Sequence, residues 1–219
     1  MNEYHKIQTM FLRNPDTNFK TLLDGQYALP EFAYLANNEW IFTEKVDGTN
    51  IRIKISNYHE NGKAYGVTFG GKTDAAQIPA TLVAKLEELF HTDTQREKMA
   101  EMFPDGACLY GEGYGAKIQK GGGNYRSDQD FVLFDVKVGD FWLEPHNVTD
   151  VATKLGISLI PTIGRGTLND MVEMVRNTSL KSKWGDFCAE GIVARPATPL
   201  RTRNGSRIIT KLKRKDFGL

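Results

Sequence analysis

The sequence is short of cysteine, histidine and net charge, and it has no long apolar run. Its 219 residues include two cysteines, Cys108 and Cys188, and no CxxC spacing. That excludes a disulfide framework and a thiolate zinc site. Two reduced, partly buried thiols in a cytoplasmic setting are expected. The four histidines (His5, His59, His91 and His146) are scattered, with no metal-ligand spacing. Neither a Ser-His-Asp nor a Cys-His arrangement is readable. No apolar stretch approaches the ~18 residues that a membrane span requires, so no membrane partner is expected. The first residues, Met1-Asn2-Glu3-Tyr4-His5-Lys6, are polar and lack a signal-peptide core. The formal net charge is only +1, so any nucleic-acid surface must come from local clustering of charge. Internal repeats and low-complexity linkers are absent from the sequence.

What is present is a globular composition, 40% apolar and 25% charged, enough for a real core. The length suits one sizeable domain or two small ones. Residues 39 to 70 read as a β-meander. Asn50 to Ser56 alternates, so that Ile51, Ile53 and Ile55 share one face, and Asn61-Gly62 marks a turn. Pro79 can open a helix whose apolar residues Leu82, Val83, Leu86, Leu89 and Phe90 form a stripe. Further helices are expected over Thr94–Phe103, Pro145–Leu155 and Leu168–Arg176, the last with Thr167 and Asp170 as a capping pair. Strands are expected at Cys108–Gly111, Phe131–Val138, Gly191–Arg195 and Arg207–Lys213. Gly121-Gly122-Gly123-Asn124 reads as a flexible loop. Elements intersperse without a regular βαβ rhythm. The expected class is α+β, with mostly antiparallel sheets and flanking helices.

Several stretches could carry chemistry. Glu44-Lys45-Val46-Asp47-Gly48-Thr49-Asn50 places a lysine at a strand end beside a turn. A lysine amine is a nucleophile only when deprotonated, which a desolvated or cation-rich pocket favours. Taken alone, the pattern is equally a hairpin with a solvated lysine. Leu109-Tyr110-Gly111-Glu112-Gly113 delivers a carboxylate into a glycine-rich turn, where it could accept hydrogen bonds from ribose hydroxyls. Phe131 to Val136 reads as a core strand with both phenylalanines off one face, or as an aromatic platform for a base. Glu190 opens the apolar strand Gly191–Arg195, and a lone carboxylate there suits a hard cation that brings its own phosphates. Lys211 and Lys213 point the same way, about 7 Å apart. They can grip neighbouring phosphates and depress the pKa of a third lysine. From Arg195 to Lys215 there are eight Lys or Arg and no acid. Gly66 to Thr73 matches the spacing of a Walker A loop, but the next helix is expected only near Pro79. A phosphate-binding helix N-terminus is therefore missing.

Taken in order, Lys45-Val46-Asp47-Gly48, Tyr110-Gly111-Glu112, Phe131 to Val136, Glu190-Gly191-Ile192-Val193 and Lys211-Leu212-Lys213 resemble the motif series of the covalent nucleotidyltransferases. That superfamily holds DNA ligases, RNA ligases and RNA capping enzymes. Gly48-Thr49-Asn50, Lys117 to Gly121 with Asn124-Tyr125, and Tyr4 to Phe11 resemble the phage RNA ligase 2 group most closely.

The resemblance implies an ATP-dependent RNA ligase with Mg²⁺ or Mn²⁺ as cofactor. Lys45 would form a lysyl-AMP, and the AMP would pass to an RNA 5′-phosphate that a 3′-hydroxyl then seals. Glu112 would hold the ribose, Phe134 would stack on adenine, and Glu190 would bind the metal. Lys211 and Lys213 would contact the AMP phosphate. Glu44, Asp47, Gly48, Asn50 and Arg52 are implied nucleotide contacts, and Lys72, Gln119 and Arg207 implied RNA contacts. DNA ligases commonly carry an arginine where this chain has Asn50. Only six residues follow Lys213, with no OB-fold or helical domain there. The expectation is a single adenylation domain over 1–219, monomeric and cytoplasmic, and a phage origin fits the resemblance. A minimal DNA ligase, a GTP-using capping enzyme and a silent nucleic-acid-binding module are the alternatives.

Overall fold

The computed structural model describes residues 3–58, 64–177 and 180–219. The Asn61-Gly62 turn and His59 lie outside them. In chain order the first elements are β1 (Gln8–Thr9), β2 (Phe11–Arg13), β3 (Leu22–Tyr27), α1 (Pro30–Tyr34) and β4 (Trp40–Lys45). Then come β5 (Thr49–Tyr58), β6 (Ala64–Gly70), α2 (Ala80–Phe90), α3 (Asp93–Met102), β7 (Ala107–Gly115) and β8 (Gln129–Val138). The rest are β9 (Phe141–Trp142), α4 (Pro145–Leu155), β10 (Ser158–Leu159), β11 (Thr162–Gly166), α5 (Leu168–Arg176), β12 (Gly191–Pro196) and β13 (Thr210–Lys213).

These elements divide into two compact units, Met1–Tyr4 with Asp47–Ile160, and His5–Val46 with Pro161–Leu219. The first holds a six-stranded sheet in the order β10-β8-β7-β5-β6, with β9 also on β8. The second holds a five-stranded sheet in the order β1-β13-β12-β4-β11 and the small β2-β3 pair. All pairings are antiparallel except β1 with β13 and β10 with β8.

In the first unit the alternation of β5 does what it foretold. Ile51, Ile53 and Ile55 are buried, and Leu82, Leu86 and Phe90 of α2 join them in one core. In the second unit, Trp40 and Phe42 of β4, Ile192 and Leu212 form a separate core with Leu168, Met171 and Val175 of α5. Helix α5 opens on the expected capping box, Thr167 with Asp170.

Several expectations change. The meander over 39–70 is not one sheet, because β4 pairs with β11 and β12 while β5 pairs with β6 and β7. Strand β7 runs on to Gly115, so Glu112 lies within a strand and not in a turn. The two phenylalanines of β8 are three residues apart and lie on opposite faces, as strand alternation requires, and the register with β7 shifts at Phe134. The extra residue returns Val136 to the core beside Phe131 and Leu133, and Phe134 lies against the Tyr4 ring. Finally, β13 begins only at Thr210. Arg207 bridges back to Arg201, because the Asn204-Gly205 turn reverses the chain. Gly205 adopts φ +84° there. The glycine-rich 121–124 stretch forms a short 3₁₀ turn over Gly122–Asn124. Neither cysteine is in a disulfide, Cys108 being half-buried and Cys188 exposed. Cys188 thus departs from the expected burial.

Candidate functional site

Strand register alone draws the second unit's charged residues together. Gly191 of β12 sits opposite Lys45 of β4 on one side and Lys213 of β13 on the other. The two lysines therefore flank Glu190, the residue before Gly191. The Lys45 ammonium meets one oxygen of Glu190 at 2.6 Å, and the Lys213 ammonium meets the other, also at 2.6 Å. Gly191 has to be glycine. A Cβ there would overlap the carbonyl oxygen of Leu212 and approach Lys213 Cα to 2.8 Å. The missing side chain lets β13 close up, and this brings Lys213 within reach.

Burial pushes the Glu190 carboxyl up, but the ammonium groups of Lys45 and Lys213 outweigh it. The net effect holds Glu190 below its ordinary value. Lys211, two residues before Lys213 and on the same face, is lowered to about 8. Burial is the chief cause, and repulsion from Lys45, Lys213 and Arg13 adds to it. Three lysines around one carboxylate leave a surplus of positive charge suited to an anion.

Glu44 faces the other way. It is 1% exposed and accepts from the Ser182 hydroxyl at 2.6 Å and from the Lys183 backbone N–H at 2.7 Å. Burial raises its pKa, and those hydrogen bonds oppose the rise. Its place in the fold is to fix the 182–184 segment beside β4. The sequence carries no periodic signal for Ser182, which only the structure reveals.

The first unit carries a second group. Asn50 of β5 lies directly opposite Glu112 of β7, so both share one face. The Asn50 Oδ1 atom is buried with no hydrogen-bond partner among the described residues, an acceptor suited to a ligand. The Asp47-Gly48 loop is held at two points. The Asp47 backbone N–H donates to the Tyr125 hydroxyl at 3.1 Å, and Gln119 donates to the Gly48 carbonyl at 3.0 Å. A Cβ on Gly48 would overlap the Gly113 carbonyl and come within 2.7 Å of Glu112 Cγ. The glycine thus lets the loop lie against Glu112.

Phe134 packs edge-on to Tyr4, with ring centroids 5.1 Å apart. Tyr4 in turn donates to Asp135 at 2.7 Å. Arg52 is wholly buried and donates to the Gly71 carbonyl at 2.7 Å and to Asp74 at 2.9 Å. It ties down the 71–74 loop, on which Lys72 is exposed. Since α2 starts at Ala80, Lys72 does not cap a helix, and the Walker-like spacing forms no phosphate loop. Arg207 stands in the turn before β13, half-buried.

A family model described as RNA ligase matches residues 38–213. The fold is similar to solved structures of an RNA ligase from Naegleria gruberi. A lysine-to-alanine mutant with ATP and Mn is 15% identical, covers 86% of this chain and 52% of its own, and has a TM-score of 0.61. The form with PPi is 13% identical, with coverage of 99% and 57% and a TM-score of 0.62. A glutamate-to-alanine mutant with AMP and Mn is 12% identical, with coverage of 99% and 57% and a TM-score of 0.63. The chain thus spans little more than half the length of these structures.

Proposed function

This chain belongs to the RNA ligase family, and we propose that it takes AMP from ATP onto Lys45, passes it to an RNA 5′-phosphate, and joins that end to a 3′-hydroxyl. The observation that carries the reading is the row of Lys45, Glu190 and Lys213 across three strands, with Lys211 beside it. It gathers one candidate nucleophile and two phosphate-gripping cations around a single carboxylate. Such chemistry depends mainly on positioning and electrostatics.

Paired to Glu190, Lys45 is an ammonium ion and has no lone pair to offer. It must shed one proton before it attacks, and the positive charges of Lys211 and Lys213 favour that loss. The Nζ–P bond then forms as the bond from the α-phosphorus to the bridging oxygen breaks. Pyrophosphate leaves with the electron pair, and a second Nζ proton passes to solvent. Among the described residues no group of three or more His, Cys, Asp or Glu could hold a metal. One carboxylate still fits Mg²⁺ or Mn²⁺, which can take its remaining ligands from phosphates and water. Bound at Glu190, such an ion would supply charge that neutralises phosphate oxygens. Solved structures of similar fold were obtained with ATP or AMP and Mn, which supports a nucleotide-metal pair.

In the other unit, Glu112 would accept from the ribose, Asn50 would contact the nucleotide, and Phe134 would offer its ring to adenine. Gln119 and Lys72 are the RNA-contact candidates of that unit. The 195–215 stretch, with Arg207, would hold the RNA backbone. Gly48-Thr49-Asn50 and Lys117 to Gly121 support membership of the phage RNA ligase 2 group. The chain would act as one monomeric adenylation domain in the cytoplasm, a setting that its two unbridged cysteines suit.

Intact mass after incubation with ATP and Mg²⁺ tests the reading. The parent should gain one AMP, and Lys45→Ala none. A folded parent that arrives unmodified and gains nothing from ATP or GTP would sink it and leave a silent binding module.

A further inference from the structure

A cavity of about 420 Å³ opens at the β1 edge of the five-stranded sheet, lined among others by Lys6, Arg13, Gln8 and Lys211. Its position follows from strand order. Strand β13 lies between β12 and β1, and β4 lies beyond β12. The cavity is therefore on the side of Lys211 away from Lys45. In an in-line displacement the attacking and departing atoms lie on opposite sides of the phosphorus. An α-phosphate held by Lys211 and Lys213 and attacked by Lys45 would point its leaving group toward the cavity.

From this placement we infer that the cavity is the seat of the β- and γ-phosphates of ATP, and of the pyrophosphate that leaves, with Lys6 and Arg13 as its cationic ligands. The inference rests on the proposed adenylation of Lys45 and goes beyond it. Neither Lys6 nor Arg13 belongs to the motif series that identifies the family.

The chemistry of the lining agrees. Three cations converge on a space wide enough for two phosphates. Arg13 is held in place by Asp216 at 3.1 Å and by the Phe19 carbonyl at 3.0 Å. A guanidinium has five N–H donors, so the two bonds that anchor it leave others for an anion. Asp216 is itself buried and accepts from the Lys213 backbone N–H at 3.0 Å. Arg13 is thereby braced against the strand that carries Lys211 and Lys213. Lys45, Lys213 and Arg13 add their repulsion to the burial that lowers the Lys211 pKa, so positive charge is concentrated on this side of the sheet.

The test separates steps that release or consume pyrophosphate from the step that does not. Lys6→Ala and Arg13→Ala should each raise the KM for ATP in Lys45 adenylation about tenfold. They should weaken pyrophosphate-driven release of ATP from the lysyl-AMP form to a similar degree. Joining of RNA already carrying a 5′-adenylate forms no pyrophosphate and should proceed at the parent rate. Arg13→Lys, which keeps the charge, should recover part of the loss.

Unchanged ATP and pyrophosphate kinetics in both variants would overturn the inference. So would an equal loss in the joining of pre-adenylated RNA, which would make Arg13 a structural brace only. If the parent takes up no AMP at all, the proposed function fails first, and calorimetry with inorganic pyrophosphate then decides the cavity. Binding to the parent that Lys6→Ala weakens would uphold the site, and no binding to the parent would end it.

Discussion

Lys211 is the residue at which pH sets the charge of the lysine cluster beside Glu190. Its pKa of about 8 lies well below the ordinary 10.5. The ammonium form is therefore disfavoured in the folded chain, and folding carries a penalty below pH 8 that is relieved as pH rises from 8 toward 10.5. Glu190 acts in the opposite sense. Its depressed pKa lends stability above its ordinary titration range, and that stability is lost as acid takes the pH down through the folded-state value. For function the sign is plain. If Lys211 grips phosphate as a cation, the KM for ATP in self-adenylation should rise about tenfold between pH 7.5 and 9. Lys211→Arg stays charged throughout and should hold the KM level, so a parallel rise in both proteins would remove Lys211 from the phosphate site. Glu44 has a structural counterpart of this test. Glu44→Gln keeps its size but weakens two charge-assisted bonds, to Ser182 and Lys183, and should lower stability by about 1–3 kcal/mol in denaturant titration.

Among the elements, β12 carries most of the consequence, since its first residue sets both neighbouring strands in register. Gly191→Ala would drive a methyl group into the β13 backbone. The strain should cost about 1–3 kcal/mol and separate Lys213 from Glu190. Both effects can be read together, as a lowered denaturation midpoint and a slower gain of AMP mass. A variant as stable as the parent would show that β13 gives way without strain.

Element by element, legibility in the sequence follows periodicity. Helices α2, α4 and α5 could be read because each has an apolar stripe several turns long with a start signal, and so could β5, because its isoleucines alternate. The strands of the first forty residues could not, because β1 and β2 are too short for any period to show. Nor could the parting of β4 from β5. Both strands look alike locally, and only long-range pairing sends each to its own sheet. Phe134 was misplaced although strand alternation alone sets residues three apart on opposite faces; what left no local mark is the bulge that returns Val136 to the core. The site itself was more legible than the fold around it. Lys45, Glu190, Lys211 and Lys213 stand out by type and order, and strand pairing brings these four together. Lys6 and Arg13 carry no such mark, because their neighbour Lys211 is about two hundred residues away.

At the scale of the whole molecule, charge is uneven where the total is nearly neutral. The +1 balance hides a stretch of eight cations from Arg195 to Lys215. Arg203 within it is exposed and has no ion pair among the described residues. If this stretch holds RNA, affinity should fall steeply as salt rises from 50 to 200 mM, and Arg203→Ala should flatten the log–log slope by about one. RNA binding indifferent to salt would place the contact elsewhere. No described helix is long and apolar enough to cross a membrane.

The parallel pairing of β1 with β13, Gln8 beside Thr210, has a consequence for how the protein is made. The strand that emerges first from the ribosome waits for one of the last to find its partner. At ordinary rates of synthesis that wait is about 10–40 s. Until then Lys45 has been made but lacks Glu190, Lys211 and Lys213, and the cavity at the β1 edge has no wall on its β13 side. A nascent chain that stops short of β13 therefore carries Lys45 without the residues that surround it, and under the proposed function it should take up no AMP.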